Sequence, residues 1–274
     1  MPALIGYADR LGVPHSLQLV LVILVSALAG AVNSFAGGGT LLTFPALVGL
    51  GIPPVVANAT STVALWPATL GSMWGYRREM SGARAWAVRF ALPSLAGGLA
   101  GALLLLSTPA STFSALVPWL VLGATLLFMS QGPVMRAVRR RRGSPGASAG
   151  DHTLQPPGTA ALCYQFVVGV YGGYFGAGIG ILMLAALGFM GLTNIHRMNG
   201  LKNWGGLCIN AVAAVTFATT GLVNWPVALS MAVGSTLGGY GGSGLAQRLG
   251  QQSVRRGIVA VGLASSVWLA VERL

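Results

Sequence analysis

Polar side chains recur at matched positions in the two halves of a chain that is otherwise strongly apolar. Each half carries three of them at the spacing i, i+3, i+4: Asn58, Ser61 and Thr62 in the first half, and Asn199, Lys202 and Asn203 in the second. On a helix, residues at this spacing share one face. Amide, hydroxyl and ammonium groups are hydrogen-bond donors that suit an anion. We therefore expect two donor-rich stripes that face a common polar site.

A glycine cluster lies ahead of each stripe. The first reads AGGG at 36–39 and is followed by Thr40 and Pro45, whereas the second reads GGYFGAGIG at 172–180. Glycine has the largest backbone entropy cost in a helix and no side chain to pack. These segments therefore predict broken helices, with Pro45 as a helix break, whose backbone N–H groups line a cavity and favour an anion. Close helix packing through small residues is the alternative.

The candidate substrate-binding residues come from these segments and stripes. They are Gly37, Gly38, Gly39, Thr40, Asn58, Thr60, Ser61, Thr62, Gly176, Gly178, Asn199, Lys202 and Asn203. Lys202 is the only lysine in the chain, and it either marks a helix end at the membrane surface or points a compact charge into the cavity. Each polar side chain could instead bind a neighbouring helix, so it is their matched positions that favour a shared site.

The composition indicates which class of protein holds these residues. Hydrophobic residues make up 54% of the chain and charged residues only 7%, which predicts an all-α polytopic membrane protein. Apolar stretches run roughly over 16–36, 38–51, 54–76, 86–106, 112–131, 159–176, 177–191, 203–221, 225–245 and 255–271. About eight of them are long enough for full transmembrane helices. The two that follow the glycine clusters are short segments, broken or re-entrant.

The repeated units suggest that the chain consists of two homologous halves. We divide it into a first transmembrane repeat at 1–131, a basic, Gly/Pro/Ser-rich cytoplasmic linker at 132–158 and a second transmembrane repeat at 159–274. Such duplication is common in transporters whose substrate site lies between the repeats.

Loop charges predict that the repeats are inverted relative to each other. In the first repeat the loop at 77–84 is basic and the next, at 107–112, is neutral. In the second repeat the order is reversed, because 219–224 is neutral and 248–256 is basic. Since basic loops stay in the cytoplasm, equivalent loops lie on opposite sides of the membrane and both termini face outside.

Several functional classes are disfavoured. The formal charge of +12 would suggest nucleic acid for a soluble protein, but here arginine-rich loops set the topology. All four carboxylates lie outside the apolar stretches, so none is available for a coupling ion in the membrane. The sequence has no metal-ligand grouping and no hydrolase motif, and Cys163 and Cys208 are expected to pack against neighbours. We therefore expect no enzymatic activity, no cofactor and no metal.

The segments 36–80 and 196–249 resemble the TauE/SafE sulfite-exporter family, also called the toluene-sulfonate uptake permease family. They begin AGGGTLLTFPALVGLGIPPVVANATSTVALWP and HRMNGLKNWGGLCINAVAAVTFATTG. The resemblance covers nearly the whole chain apart from the linker. It places the family's glycine-proline and polar motifs on Gly37, Gly38, Gly39, Pro45, Asn58, Thr60 and Ser61, and their second-half counterpart on Asn199, Lys202 and Asn203. The second glycine cluster departs from the first, since Ala177 takes the middle position and no proline matches Pro45.

The resemblance implies a bacterial inner-membrane permease for sulfite, sulfonates, sulfoacetate, thiosulfate or related anions. We expect a secondary transporter that moves a small sulfur oxyanion or organosulfonate by alternating access. An anion channel or facilitator, and a non-transporting membrane anchor subunit, are the alternatives. The expected partners are the anion and the lipid bilayer, and no nucleic acid is expected. Assembly into a homo-oligomer is compatible with the sequence. Because the only lysine lies in the second repeat, the anion should bind nearer that repeat.

Overall fold

The computed structural model describes residues 15–35, 37–75, 80, 83–142, 157–190, 192, 194–249 and 251–271. Over these residues the chain forms helices and no strand, which confirms the predicted all-α class. The helices are α1 (His15–Phe35), α2 (Thr40–Gly49), α3 (Pro54–Gly75), α4 (Arg84–Ser107), α5 (Ala110–Arg142), α6 (Thr159–Tyr174), α7 (Ile179–Phe189), α8 (Ile195–Thr219), α9 (Trp225–Leu249) and α10 (Gln251–Val271).

Most helix boundaries agree with the apolar stretches. The two short helices, α2 with 10 residues and α7 with 11 residues, each follow a glycine cluster. The start of α8 differs, because this helix begins at Ile195 and not near 203. Its start is set by a capping residue: the Asn194 side chain accepts hydrogen bonds from the backbone N–H groups of His196 and Arg197, at 3.0 and 3.2 Å. Hydropathy does not detect such a polar first turn.

The basic segments that we expected in loops are partly helical. Arg84 and Arg89 lie exposed in the first turns of α4, and α5 continues through the basic run to Arg142. The rest of the predicted linker, at 143–156, and the basic pair Arg77 and Arg78 lie outside the described residues. Arg84 and Arg89 suit a helix because their exposed side chains extend away from the packed face.

The two halves of the chain are interleaved. Helices α3 and α8 contact each other, α1 packs mainly against α9, and α4 packs mainly against α6. In addition α3 packs against α9, α8 packs against α4, and α5 packs against α10. We match α1 to α5 in order with α6 to α10, so that α1 corresponds to α6 and α4 to α9. The α1–α9 contact then corresponds to the α6–α4 contact, and the α3–α9 contact to the α8–α4 contact. The α3–α8 and α5–α10 contacts each correspond to themselves. The central pair α3 and α8 carries both polar stripes.

The crossings between halves are backbone-to-backbone contacts at glycines. In the α4–α6 crossing, a Cβ atom added at Gly101 would overlap the carbonyl oxygen of Val170, and one added at Gly173 would overlap that of Gly98. The α1–α9 crossing is equally close, at Gly30 against Ser235 and at Gly238 against Ala27. Small residues allow this approach, and in a membrane such close packing is a main source of helix association.

The outer surface suits a lipid environment. Large apolar side chains lie exposed along the outer helices, among them Leu92 on α4, Trp119 on α5, and Leu229 and Leu237 on α9. Exposed apolar surface of this extent is unfavourable in water but not in hydrocarbon. By length and composition alone, two of the described helical segments are candidate membrane spans, Arg84–Ser107 and Ala110–Ser130. These observations indicate a membrane protein.

Candidate functional site

In both glycine segments the helix is interrupted by glycines with a left-handed backbone conformation. The φ angle is +71° at Gly37, between α1 and α2, and +79° and +81° at Gly176 and Gly178, between α6 and α7. An L-residue with a side chain pays roughly 1–2 kcal/mol in this region, so glycine suits these positions. A Cβ atom on Gly37 would lie only 3.1 Å from the Cα atom of Gly180. The break between α1 and α2 therefore lies against the start of α7.

Pro45 does not break a helix, contrary to our expectation. It lies inside α2, which continues beyond it to Gly49. The chain changes direction earlier, at the left-handed Gly37. A proline in a helix removes one N–H donor and usually kinks the helix, but here the turns on either side of it remain helical.

Two adjoining cavities lie beside the contact of Gly37 with the start of α7. One, which we name the glycine cavity, is lined by the segment Gly37, Gly38, Gly39 and by Thr40, Thr62 and Gly176. The other, which we name the lysine cavity, is lined by Thr69, Ser72, Gly180, Lys202 and Asn203. Asn33, Gly37, Ile179 and Asn210 line both. The predicted donor groups from both halves of the chain are thus brought close together.

The N-termini of the two short helices also reach these cavities. Thr40, the first residue of α2, lines the glycine cavity, and Ile179, the first residue of α7, lines both. Several of their first N–H groups already have partners, since those of Leu41 and Leu42 donate to the Gly38 and Gly39 carbonyls and that of Ile181 donates to the Gly178 carbonyl, each at 3.0 Å. The helix dipole at each N-terminus nevertheless favours a negative charge.

Lys202 is the only charged residue among the described residues that line either cavity. Its side chain is 3% exposed, and its Nζ has no hydrogen-bond partner among the described residues. The neighbouring Asn203 is 7% exposed and its Nδ2 likewise has no partner there. Burying a polar donor without a partner is costly, and burying an ammonium is more so. The arrangement can therefore bind an acceptor with negative charge.

The first-half stripe is placed differently from its second-half counterpart. Asn58 Nδ2 donates to the Tyr174 carbonyl at 3.0 Å, Thr60 Oγ1 accepts from the Asn224 backbone N–H at 3.0 Å, and Ser61 Oγ lies 2.6 Å from Thr43 Oγ1. These three side chains are fully buried and hold α3 against α6, the start of α9 and α2. Of the polar residues at 58, 60, 61 and 62, only Thr62 lines a cavity.

Two further candidate residues lie outside both cavity linings. Gly178 is the left-handed residue directly before α7, and a Cβ atom added there would lie closest to the Ala124 carbonyl oxygen and the Leu127 side chain on α5. Asn199 lies one turn before Lys202, and its buried Oδ1 has no hydrogen-bond partner among the described residues. Neither position contributes to the lining that the other candidates form.

Several polar residues that line the cavities were not among the candidates predicted from the sequence. Asn33 and Asn210 line both of them, and Thr69 and Ser72 line the lysine cavity. A signal was present, because Thr69 follows Thr62 by seven residues and Asn210 follows Asn203 by seven. Residues at i and i+7 lie on the same helix face. Extending each stripe by two turns would have found this pair.

The placement of Asn58 yields a prediction about stability. Asn58→Ala removes the donor that satisfies the Tyr174 carbonyl at the end of α6, a group with no partner inside its own helix. We expect the protein in detergent to lose about 1–3 kcal/mol of stability, measured as a lower midpoint of thermal unfolding. Thr62→Val, one turn further along α3, is the control and should lower the midpoint less. Equal midpoints for the two variants would contradict a structural role for Asn58.

Comparisons with known proteins extend over nearly the whole chain. The family described as sulfite exporter TauE/SafE matches residues 22–269. A probable membrane transporter protein, YfcA of Escherichia coli (strain K12), is 30% identical in an alignment 268 residues long that covers 93% of this chain and 91% of that protein. The probable membrane transporter protein ORF9 of a Sinorhizobium species is 28% identical over 259 residues, 93% of both chains.

A third relative, a probable membrane transporter protein of Haemophilus influenzae, is 27% identical over 244 residues, 88% of this chain and 90% of that protein. No solved structure matches the chain. The relatives are thus named as membrane transporters, and the family match includes both glycine segments and both polar stripes. The chain belongs to the sulfite exporter TauE/SafE family.

Proposed function

We propose that the protein is a multi-pass transporter of the bacterial inner membrane that moves a small anion by alternating access. The substrate would be a sulfur oxyanion or an organosulfonate, such as sulfite or sulfoacetate. The observation that carries this proposal is the buried ammonium of Lys202, which lines a cavity and has no hydrogen-bond partner among the described residues. An ionised group within a membrane protein marks a substrate or ion pathway by default.

The other groups at the cavities support an anion over a cation. The lining side chains with polar atoms are asparagine, serine, threonine and lysine, and no carboxylate is among the described residues that line either cavity. A cation would find amide and hydroxyl oxygens but no negative charge. An oxyanion with several weak acceptor oxygens would find N–H and O–H donors and one positive charge. Because Lys202 lines only the lysine cavity, we place the anion nearer the second half.

The choice of sulfite as a substrate is supported by the description of the family. The matching family is described as a sulfite exporter, and the relatives are named probable membrane transporters without a substrate. The sulfonate group is a compact anion with three equivalent oxygens. Several neutral donors around one ammonium suit such a group, since weak individual contacts allow release as well as binding.

We further propose that the two halves, 1–131 and 159–274, are inverted repeats joined by the linker at 132–158. Matched packing supports this, because the α1–α9 and α6–α4 contacts correspond when each helix of the first half is paired with its counterpart in the second. Matched polar positions also support it. Thr62 lines the glycine cavity, and its counterpart Asn203 lines the lysine cavity. Exchange of conformation between such repeats would expose the site to each side in turn.

Counterflow in proteoliposomes tests the proposal. Vesicles that contain the purified protein are loaded with unlabelled methanesulfonate and diluted into labelled methanesulfonate. A transporter should accumulate label transiently, with an initial rate that saturates as the outside concentration rises. Linear flux without counterflow would instead indicate a channel or facilitator. No flux of methanesulfonate, sulfite or sulfoacetate above that of protein-free vesicles would reject transport and favour a membrane anchor subunit.

A further inference from the structure

The lysine cavity has one charged side chain among its described lining residues. It contains one ammonium, that of Lys202, and its other described polar side chains are neutral. We infer that the site selects singly charged anions and rejects doubly charged anions of the same size. This inference rests on the proposed function, because it specifies which anions the transporter accepts.

Burial makes the charge balance important. Lys202 is 3% exposed and Asn203 is 7% exposed, so water screens a bound ion poorly. An anion of charge −1 would form a neutral pair with the ammonium. An anion of charge −2 would leave one full negative charge uncompensated in a medium of low dielectric constant, which is strongly unfavourable.

The neutral donors do not remove this difference. The N-terminus of α7 reaches the lysine cavity through Ile179 and Gly180, and a helix N-terminus acts as roughly half an elementary charge. Its effect is spread over the first turn and falls off quickly. The amides of Asn203 and Asn210 add dipoles and no net charge. A second negative charge would therefore remain largely unbalanced.

Charge selection would divide the sulfur anions into accepted and rejected compounds. Alkylsulfonates and hydrogen sulfite carry one negative charge and should be accepted. Sulfate and fully ionised sulfite carry two, and sulfoacetate carries two because it has a carboxylate in addition to its sulfonate. These dianions should be poor substrates, so of the two examples given for the proposed function the inference retains sulfite, as hydrogen sulfite, and excludes sulfoacetate.

A competition experiment with matched molecules tests the inference. Methanesulfonate and sulfate differ by a methyl group in place of an oxygen, so they are nearly the same size but carry charges of −1 and −2 at neutral pH. In counterflow of labelled methanesulfonate, we expect unlabelled methanesulfonate to inhibit at a concentration at least about tenfold lower than sulfate. Neutral dimethyl sulfone, a third molecule of this shape, should not inhibit.

The outcomes separate the inference from the proposed function. Equal inhibition by sulfate and methanesulfonate would overturn the charge selection while leaving anion transport intact. An absence of methanesulfonate counterflow, with sulfate also not transported, would overturn both. In Lys202→Gln, which removes the charge and keeps a side chain of similar length, the preference for methanesulfonate should fall towards equality. An unchanged preference in this variant would show that Lys202 does not set the selection.

Discussion

Lys202→Ala should reduce the initial rate of methanesulfonate uptake about tenfold or more while the protein still inserts in the membrane. Hydrogen bonds to a charged group contribute about 1.5–3 kcal/mol, and 1.4 kcal/mol corresponds to a factor of ten. Lys202 is the only charged residue among the described lining residues. Alanine also leaves no buried ammonium to be desolvated, so the fold should tolerate the change. The rate is measured in proteoliposomes that contain equal amounts of folded protein.

Arg256→Ala is the matched control for this experiment. It removes the same unit of charge from an exposed position at the start of α10. Its uptake should stay within about twofold of the wild type, because surface charges act weakly on a buried site. If Lys202→Ala transports like the wild type, its side chain serves only the packing or the membrane interface. If the two variants lose activity equally, the loss comes from net charge and not from the site.

Gly101→Ala should strongly destabilise the protein, although it adds only one methyl group. That methyl would overlap the Val170 carbonyl oxygen in the α4–α6 crossing, so the two helices must move apart. Forcing atoms into a well-packed contact typically costs about 1–3 kcal/mol. Here the contact joins the two halves of the chain, so the separation also weakens the neighbouring α4–α8 packing. The measurement is the midpoint of thermal unfolding in detergent, together with the yield of folded protein.

Gly123→Ala provides the comparison, since a Cβ atom at Gly123 on α5 would meet nothing within 4 Å. Alanine has the higher helix propensity, by about 0.8–1.0 kcal/mol in soluble peptides. Its midpoint should therefore equal or exceed that of the wild type. A Gly101→Ala protein as stable as Gly123→Ala would refute the close backbone contact between α4 and α6.

The helices could be predicted from the sequence because membrane helices depend on local properties. A helix in the bilayer satisfies its own backbone hydrogen bonds, so a sufficient apolar stretch predicts it without knowledge of its neighbours. The short helices α2 and α7 were likewise predicted by the glycines that precede them. The start of α8 was missed, since the Asn194 cap extends it through a polar turn that hydropathy assigns to a loop.

The candidate site could be predicted only in part. Sequence spacing predicts which residues share a helix face, but a face contacts whatever helix lies opposite it. Asn58, Thr60 and Ser61 meet the Tyr174 carbonyl, the Asn224 N–H group and Thr43. Asn58 Nδ2, Thr60 Oγ1 and Ser61 Oγ each have a partner within the protein, whereas the buried Asn58 Oδ1 has none among the described residues.

The sequence by itself determined an all-helical membrane protein with two glycine-interrupted segments, two polar stripes and one lysine. Only the tertiary structure decided which of these groups meet. Interleaving of α1 with α9 and of α4 with α6 brings Gly37 against Gly180 and places Lys202 at a cavity. The physical reason is that helix formation depends on local hydrogen bonds and hydropathy, whereas a cavity depends on the rotation and spacing of several helices. Those are set by contacts between residues far apart in the chain.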